Sequence, residues 1–125
     1  MPEPTIPPLP GGQDADGCRI LVVDDDTDAR ESLGMLLELD GHEVAYARDG
    51  AEAIRRELEF EPALVLLDLG LPDIGGADVA RRMRERGSTA RIVALSGAPG
   101  DDTAALFDAQ LTKPAKVEDL TAYLP

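Results

Sequence analysis

The sequence has few of the residue types that mark disulfide-rich, zinc-binding or membrane proteins. Among its 125 residues there is one cysteine, Cys18, and one histidine, His42. A disulfide framework and a cysteine-based metal site are therefore excluded within the chain, and His42, in a predicted turn, is expected at the surface. No segment approaches the roughly 20 apolar residues of a membrane span, and the N-terminus lacks the features of a signal peptide. These absences predict a cytoplasmic protein.

Positive charge and aromatic side chains are also scarce. Twelve Lys and Arg residues stand against 25 Asp and Glu residues, which gives a formal net charge of −13. Nucleic acids and anionic membranes attract basic surfaces, so we expect the chain to bind neither. Aromatic residues make up 3% of the sequence and hydrophobic residues 43%, which predicts a globular core of Leu, Val, Ile and Ala.

The composition divides the chain into two parts. Five of the first ten residues are proline, and Gly11 and Gly12 follow them. Such a segment buries little apolar surface and lacks many backbone donors, so residues 1–17 are predicted to form a flexible leader or linker. A docking peptide for a proline-binding module is the alternative. Residues 18–125 are long enough to form one folded domain.

Short apolar segments alternate with segments of helical spacing throughout the second part. Strands are predicted at 20–23, 44–47, 63–67, 92–95 and 109–112. Helices are predicted at 27–39, 51–59, 77–86, 104–107 and 117–124. This alternation predicts a parallel sheet with helices on both faces. Right-handed crossovers place the carboxyl ends of all strands at one edge, where such sheets bind ligands.

Individual helix residues follow from the same spacing. Asp26 precedes the first helix and is the predicted N-cap. In the first two helices the apolar residues at helical spacing are Ala29, Leu33, Leu36 and Leu37, and then Ile54 and Leu58. In the third helix they are Val79, Ala80 and Met83, which are expected to face inward.

Polar residues follow four of the predicted strands. Asp24 and Asp25 follow the first, Asp68 the third, Ser96 the fourth and Lys113 the fifth. Three carboxylates at one edge repel each other, and an oxygen-only ligand set suits Mg²⁺. Asp68 can then act as a nucleophile that forms an acyl phosphate, while Ser96 and Lys113 bind phosphoryl oxygens. Each residue alone has an ordinary structural explanation, and the prediction rests on their convergence.

Four motifs of residues 18–125 resemble those of the response regulator receiver domains, typified by the chemotaxis protein CheY. The motifs are Ile20 to Asp26, Leu66 to Pro72, Ala94 to Gly97, and Lys113-Pro114. The resemblance implies a flavodoxin-like α/β fold, a doubly wound sheet of five parallel strands. It also implies a phosphoacceptor in a two-component His-Asp phosphorelay, which catalyses only its own phosphorylation and dephosphorylation.

The resemblance assigns the metal site and the partners. It makes Asp68 the phosphoacceptor, and it makes Asp24, Asp25, Asp68 and the backbone carbonyl of Gly70 the Mg²⁺ ligands. The phosphoryl donor would be a histidine kinase or a histidine phosphotransfer protein. A downstream protein of unknown identity would receive the signal.

The resemblance also assigns the phosphoryl-binding and switch residues. Ser96, Gly97 and Lys113 would bind the phosphoryl group. Ser96, Gln110, Lys113 and Pro114 would form the switch and output region.

The sequence departs from the family pattern at several positions. Gly70 replaces a larger side chain and leaves room beside the phosphate, Gly75-Gly76 replaces the commoner Asp-Gly, and Gln110 replaces an aromatic residue or histidine. Ser96 and Lys113 are only 17 positions apart. This spacing predicts a shortened fourth helix between Pro99 and Phe107 and an atypical choice of partner.

Three alternatives remain open. The chain could be a free-standing regulator or a receiver excised from a hybrid kinase. It could be a pseudo-receiver that binds proteins independently of phosphorylation. A phosphatase with an aspartyl-phosphate intermediate is disfavoured, because those enzymes carry a second Asp where this chain has Gly70. Since no DNA-binding region follows Pro125, we expect direct gene control to need another chain.

Overall fold

Strands and helices alternate along residues 17–96 and 107–112, the part of the chain that the computed structural model describes. In chain order they are β1 (Arg19–Val23), α1 (Thr27–Leu39), β2 (Glu43–Ala47), α2 (Gly50–Phe60), β3 (Leu64–Asp68), α3 (Gly76–Glu85), β4 (Arg91–Ser96) and β5 (Ala109–Thr112). The predicted bounds of α1 and β5 are confirmed, those of β1 and β2 differ by one residue at the first end only, and those of α2, β3, α3 and β4 differ by one residue at each end. The predicted leader, shortened fourth helix and final helix lie outside the described residues.

The five strands form one parallel sheet in the order β2-β1-β3-β4-β5. This confirms the predicted doubly wound sheet and places β1 and β3 side by side at its centre. Every residue of β3 is buried, as are four of the five residues of β1. Strands buried on both faces read as continuous apolar runs in the sequence, which is why these two were predictable.

The two faces of the sheet carry separate cores, because successive strand residues point to opposite sides. Leu21, Val65 and Ile92 pack with Val79 and Met83 of the helices on one face. The opposite face packs against α1, and its buried residues are Ile20, Val22, Leu37, Leu64, Leu66, Val93 and Leu95. The helices therefore cover both faces, as the alternation predicted.

The inward residues of α3 are as predicted, because Val79, Ala80 and Met83 are all buried. Three of the apolar residues at helical spacing in the other helices are exposed: Ala29, Leu36 at 51% and Leu58 at 57%. Neighbouring helix residues point about 100° apart, so Leu36 can face solvent while Leu37 beside it is buried. No helix in the described ranges is long and apolar enough to cross a membrane.

His42 is not at the surface, contrary to the expectation from its position in a turn. Its side chain is only 6% exposed, and its Nδ1 atom accepts a hydrogen bond of 3.2 Å from the backbone N–H of Cys18. Gly41 adopts a positive φ of 98° just before it. The chain therefore turns so that the imidazole lies against the start of β1.

Gly34 allows α1 to approach the aromatic ring of Tyr46 in β2. A Cβ atom at Gly34 would lie 2.2 Å from Cε1 and 2.3 Å from the hydroxyl oxygen of Tyr46. We predict that Gly34→Ala lowers the free energy of unfolding, because the ring must move. In a Tyr46→Ala background the same change should raise it by about 0.5–1 kcal/mol, the helix-propensity gain of Ala over Gly.

Urea unfolding of the four proteins in a double-mutant cycle measures this difference. A change of the same sign in both backgrounds would contradict the contact as the reason for Gly34.

Candidate functional site

Three carboxylates meet at the carboxyl edge of the central strands. One carboxylate oxygen from each of Asp24, Asp25 and Asp68 lies within 4.8 Å of the others. Asp24 is 4% and Asp68 5% exposed, whereas Asp25 is exposed. Val23 pairs with Leu67 in the parallel register, so Asp24 and Asp68 stand next to each other at the strand ends. The structure thus brings together the acidic residues that the sequence predicted.

Local hydrogen bonds fix the chain after β1. The backbone N–H of Asp24 donates to the carbonyl of Ala47 at 3.0 Å, and its Oδ1 atom accepts from the N–H of Asp26 at 3.0 Å. The Asp26 side chain accepts in turn from the N–H groups of Asp28 and Ala29. Asp26 is therefore the N-cap of α1, as predicted, while Asp24 and Asp25 form the cluster.

Asp68 is held in a similar way. Its Oδ1 atom accepts a hydrogen bond of 3.0 Å from the N–H of Gly70, and the N–H of Leu69 donates to the carbonyl of Leu95 at 3.0 Å. Gly70 is exposed, and a Cβ atom there would approach only Asp68 Oδ1, at 3.7 Å. The position of Gly70 therefore leaves open space beside the carboxylate of Asp68.

The chemistry of this donor set suits a hard divalent cation. Two unit charges about 4 Å apart repel by about 4 kcal/mol at an effective dielectric of about 20. A divalent cation bound between the carboxylates reverses that repulsion, and carboxylate oxygens are the ligands that Mg²⁺ prefers. The cluster contains neither nitrogen nor sulfur donors, which are the characteristic ligands of zinc. The residues present therefore fit Mg²⁺.

Comparison with known proteins identifies the family. The model of the "Response regulator receiver domain" family matches residues 20–124. The chain belongs to this family. It is thus a receiver domain of two-component signalling, and the sheet order described above is the flavodoxin-like order of its structural neighbours.

Two solved structures illustrate the similarity of the fold. The response regulator receiver domain from Methylobacillus flagellatus is 31% identical with a TM-score of 0.75, covering 82% of this chain and 91% of that one. The response regulator protein TrrA from Thermotoga maritima, solved in complex with Mg²⁺–BeF, is 32% identical with a TM-score of 0.76, covering 83% of this chain and 93% of that one.

Curated relatives extend beyond the receiver domain. The transcriptional regulatory protein PrrA of Mycobacterium tuberculosis is 38% identical over 109 residues, which is 83% of this chain but 47% of PrrA. The response regulator MprA of Mycobacterium sp. strain KMS is 38% identical over 111 residues. The chain spans about half the length of these relatives. The expectation that nucleic acid is excluded is therefore unsupported, because the net charge describes these 125 residues alone.

The structure gives the positions of only some of the other predicted site residues. Ser96 ends β4, and Asp68 pairs with Leu95, so the backbone of Ser96 lies at the same sheet edge as the carboxylates. Gln110 lies in β5, partly buried, and its side-chain Nε2 atom has no hydrogen-bond partner in the described part of the chain. The Ser96 side chain and the whole of Gly97, Lys113 and Pro114 lie outside the described residues.

Asp73 supports the site but was not predicted from the sequence. Its Oδ1 atom accepts from the N–H of Gly50 at 2.8 Å, and its Oδ2 atom accepts from the N–H of Ala51 at 3.0 Å. These bonds attach the β3–α3 loop to the first turn of α2. An Asp in a loop is a general capping signal, but its partner is 23 residues away and no local pattern reveals it.

Gly76 lets the start of α3 pack against the residue that follows the phosphoacceptor candidate. A Cβ atom at Gly76 would lie 2.9 Å from the Cα atom of Leu69 and 3.1 Å from the carbonyl oxygen of Asp68. A Cβ atom at the neighbouring Gly75 would meet no atom within 4 Å. The two adjacent glycines therefore have different roles, which the sequence does not reveal.

We predict that Asp73→Ala destabilises the receiver domain, because two N–H groups of α2 lose their acceptor. The hydrogen bond from Gly50 is the main cause that lowers the pKa of Asp73 below its usual value of 3.8. Its contribution to stability is therefore present above pH 3.8 and is lost as the pH falls through the lowered pKa. Urea unfolding across this pH range measures the free energies of unfolding of the wild type and the variant. The difference between them should become smaller as the pH falls.

The exposed Glu59 on α2 provides the control for Asp73. Glu59→Ala removes an exposed carboxylate from the helix to which Asp73 is hydrogen-bonded, and we expect it to change the free energy of unfolding little. Equal effects of the two substitutions would mean that net charge, not the attachment of the loop, is what matters.

We predict that Gly76→Ala disturbs the site and Gly75→Ala does not. The added methyl group at position 76 meets backbone atoms that cannot rotate away, so the β3–α3 loop must shift. Gly76→Ala should lower both the free energy of unfolding and the Mg²⁺ affinity measured by calorimetry. Gly75 has a φ of −60°, which alanine adopts without strain, so Gly75→Ala is the matched control. Similar Mg²⁺ affinities for the two variants would contradict the proposed close packing.

Proposed function

We propose that this receiver domain accepts a phosphoryl group on Asp68 and that phosphorylation changes its binding to a protein partner. The observation that carries the proposal is the cluster of Asp24, Asp25 and Asp68 oxygens within 4.8 Å at the strand ends. Asp68 is the last residue of β3 and is buried, as Asp24 is. Membership of the receiver family supports a phosphoacceptor role in two-component signalling.

Mg²⁺ is the proposed cofactor, held by the carboxylates of Asp24, Asp25 and Asp68 and by the backbone carbonyl of Gly70. The oxygen-only donor set supports this choice, as does the Mg²⁺–BeF complex of the related TrrA. Bound there, the ion would neutralise charge on the phosphoryl oxygens and on the carboxylates. The Gly70 N–H donates to Asp68 Oδ1 at 3.0 Å and so orients the carboxylate.

The proposed reaction is a transfer from phosphohistidine to the carboxylate. A carboxylate oxygen of Asp68 attacks phosphorus, the new P–O bond forms, and the P–N bond to the imidazole breaks. The imidazole nitrogen keeps the electron pair of that bond and takes a proton from water where needed. The donor would be a histidine kinase or a histidine phosphotransfer protein, and catalysis by the chain is limited to its own phosphorylation and dephosphorylation.

Ser96, Gly97 and Lys113 are proposed to bind the phosphoryl oxygens, and the position of the Ser96 backbone at the acidic edge is consistent with this role. Gln110 and Pro114 complete the proposed switch region. Gln110 lies in β5 with a buried amide nitrogen that lacks a described partner. Such a group gains stability from any rearrangement that offers it an acceptor. The downstream target is proposed to be a protein, and the location of the chain to be the cytoplasm.

We predict that incubation with acetyl phosphate and Mg²⁺ adds the mass of one phosphoryl group to the wild-type protein. Asp68→Asn should show no addition, because an amide cannot form the acyl phosphate. Asp26→Asn is the matched control, since it removes a neighbouring carboxylate outside the cluster and retains a good N-cap. Intact-mass spectrometry, with and without EDTA, measures the outcome.

Each result separates the alternatives. Addition that needs Mg²⁺ and Asp68 supports the proposed phosphoacceptor. No addition, together with no measurable Mg²⁺ affinity, would favour a pseudo-receiver that binds proteins independently of phosphorylation. Equal addition to the wild type and to Asp68→Asn would place the phosphoryl group on another residue.

A further inference from the structure

A cleft lined by arginine side chains lies beside the first two strands. It has a volume of about 290 Å³, and its lining residues are Arg30, Tyr46, Arg48, Glu52 and Arg56. Arg30 belongs to α1, Tyr46 to β2, and Glu52 and Arg56 to α2, while Arg48 follows β2 directly. Residues from separate elements thus meet in a cleft that the phosphoacceptor chemistry does not use.

The charge of this cleft is opposite to that of the chain. Three guanidinium groups line the cleft with the carboxylate of Glu52, and the carboxylate of Glu38 contacts the hydroxyl of Tyr46 at its wall, although the whole sequence carries a formal net charge of −13. Like charges gathered on a protein surface repel each other and attract counter-ions. The local excess of positive charge therefore favours an anionic ligand.

Existing contacts use only part of the hydrogen-bonding capacity of the arginines. Arg30 donates from Nη1 to the carbonyl oxygen of Asp24 at 2.8 Å and from Nη2 to Thr27 Oγ1 at 3.4 Å. A guanidinium has five N–H donors, so Arg30 is anchored while keeping donors for a ligand. The Arg48 guanidinium makes no hydrogen bond to any described residue.

Glu52 is already bound within the cleft wall. Its Oε1 atom accepts the backbone N–H of Arg48 at 2.8 Å, and its Oε2 atom lies 3.7 Å from Nη2 of both Arg55 and Arg56. The hydrogen bond from Arg48 is the main cause that lowers the pKa of Glu52. Glu52 therefore stays ionised and compensates one of the three positive charges, while Glu38 is bound to the hydroxyl of Tyr46. The arginine donors that these two carboxylates do not use favour an anionic ligand.

We propose that this cleft binds a small phosphorylated anion such as a diphosphate. Guanidinium groups bind phosphate oxygens in pairs of parallel hydrogen bonds. A volume near the lower limit of small-molecule sites fits a phosphate group or a diphosphate better than a larger ligand. The hydroxyl of Tyr46 interacts with Glu38, so the phosphate contacts are assigned to the arginines alone.

The test uses Asp68→Asn protein in EDTA, so that neither phosphorylation nor metal binding contributes to the signal. Two-dimensional ¹H–¹⁵N spectra that include arginine side chains are recorded during titrations with sodium diphosphate and sodium phosphate. Titrations with sodium acetate and sodium chloride at the same ionic strength are the controls. We expect saturable shifts at Arg30, Arg48 and Arg56 with diphosphate, weaker ones with phosphate, and none that saturate with acetate or chloride.

Variants test the geometry. Arg48→Gln and Arg56→Gln should each weaken diphosphate binding about tenfold, the loss expected for one charge-assisted hydrogen bond. Glu52→Gln should strengthen binding, because it removes the opposing charge and keeps an acceptor for the Arg48 N–H. Arg82→Gln is the control: it removes the same charge from an exposed position of α3 outside the cleft, and its effect should stay within about twofold.

Nonspecific electrostatic attraction of the anion to the protein surface predicts a different result from binding in the cleft. Shifts that do not saturate, or equal weakening by Arg82→Gln and Arg48→Gln, would overturn the proposal. Since the titrated protein lacks Asp68 and metal, such a failure leaves the proposed phosphorylation of Asp68 untouched.

Discussion

The parallel pairing of β1 with β3 is the constraint on which the rest of the structure depends. It forces Asp24 and Asp68 into adjacent positions, 4% and 5% exposed, where water screens their repulsion poorly. The two strands can hold these carboxylates in place because their apolar side chains are buried on both faces of the sheet. The free energy of the core thus maintains an arrangement of like charges that carboxylates alone would not adopt, and this arrangement has the chemistry that suits a divalent cation.

Backbone groups then orient the carboxylates within that arrangement. The N–H of Asp26 donates to Asp24, and the N–H of Gly70 donates to Asp68. Asp73 attaches the β3–α3 loop to α2, and Gly76 allows that loop to lie against α3. A site that is held before its ligand arrives loses less entropy on binding. The loop after β3 is therefore as much a part of the site as the carboxylates are.

The sequence predicted what local periodicity and topology determine. Continuous apolar runs located the strands, and their parallel order implied that Asp24, Asp25 and Asp68 would meet. Features that depend on orientation or on distant partners were missed or wrong. Helical spacing alone did not distinguish Leu36, which is 51% exposed, from the buried Leu37 beside it. His42 was expected at the surface, yet the turn folds its ring inward. The partner of Asp73 is 23 residues away, so only the folded chain reveals it.

The arginine cleft shows why net charge is a weak guide to what a surface binds. A value of −13 is an average over the chain, whereas a ligand responds to charges within roughly 10 Å. Arg30 lines the cleft and donates to the backbone carbonyl of Asp24, not to its carboxylate. Through this contact a positive cleft and an acidic cluster share one strand end. The same edge of the sheet can thus carry a cluster of carboxylates suited to a cation beside a cluster of guanidinium groups suited to an anion.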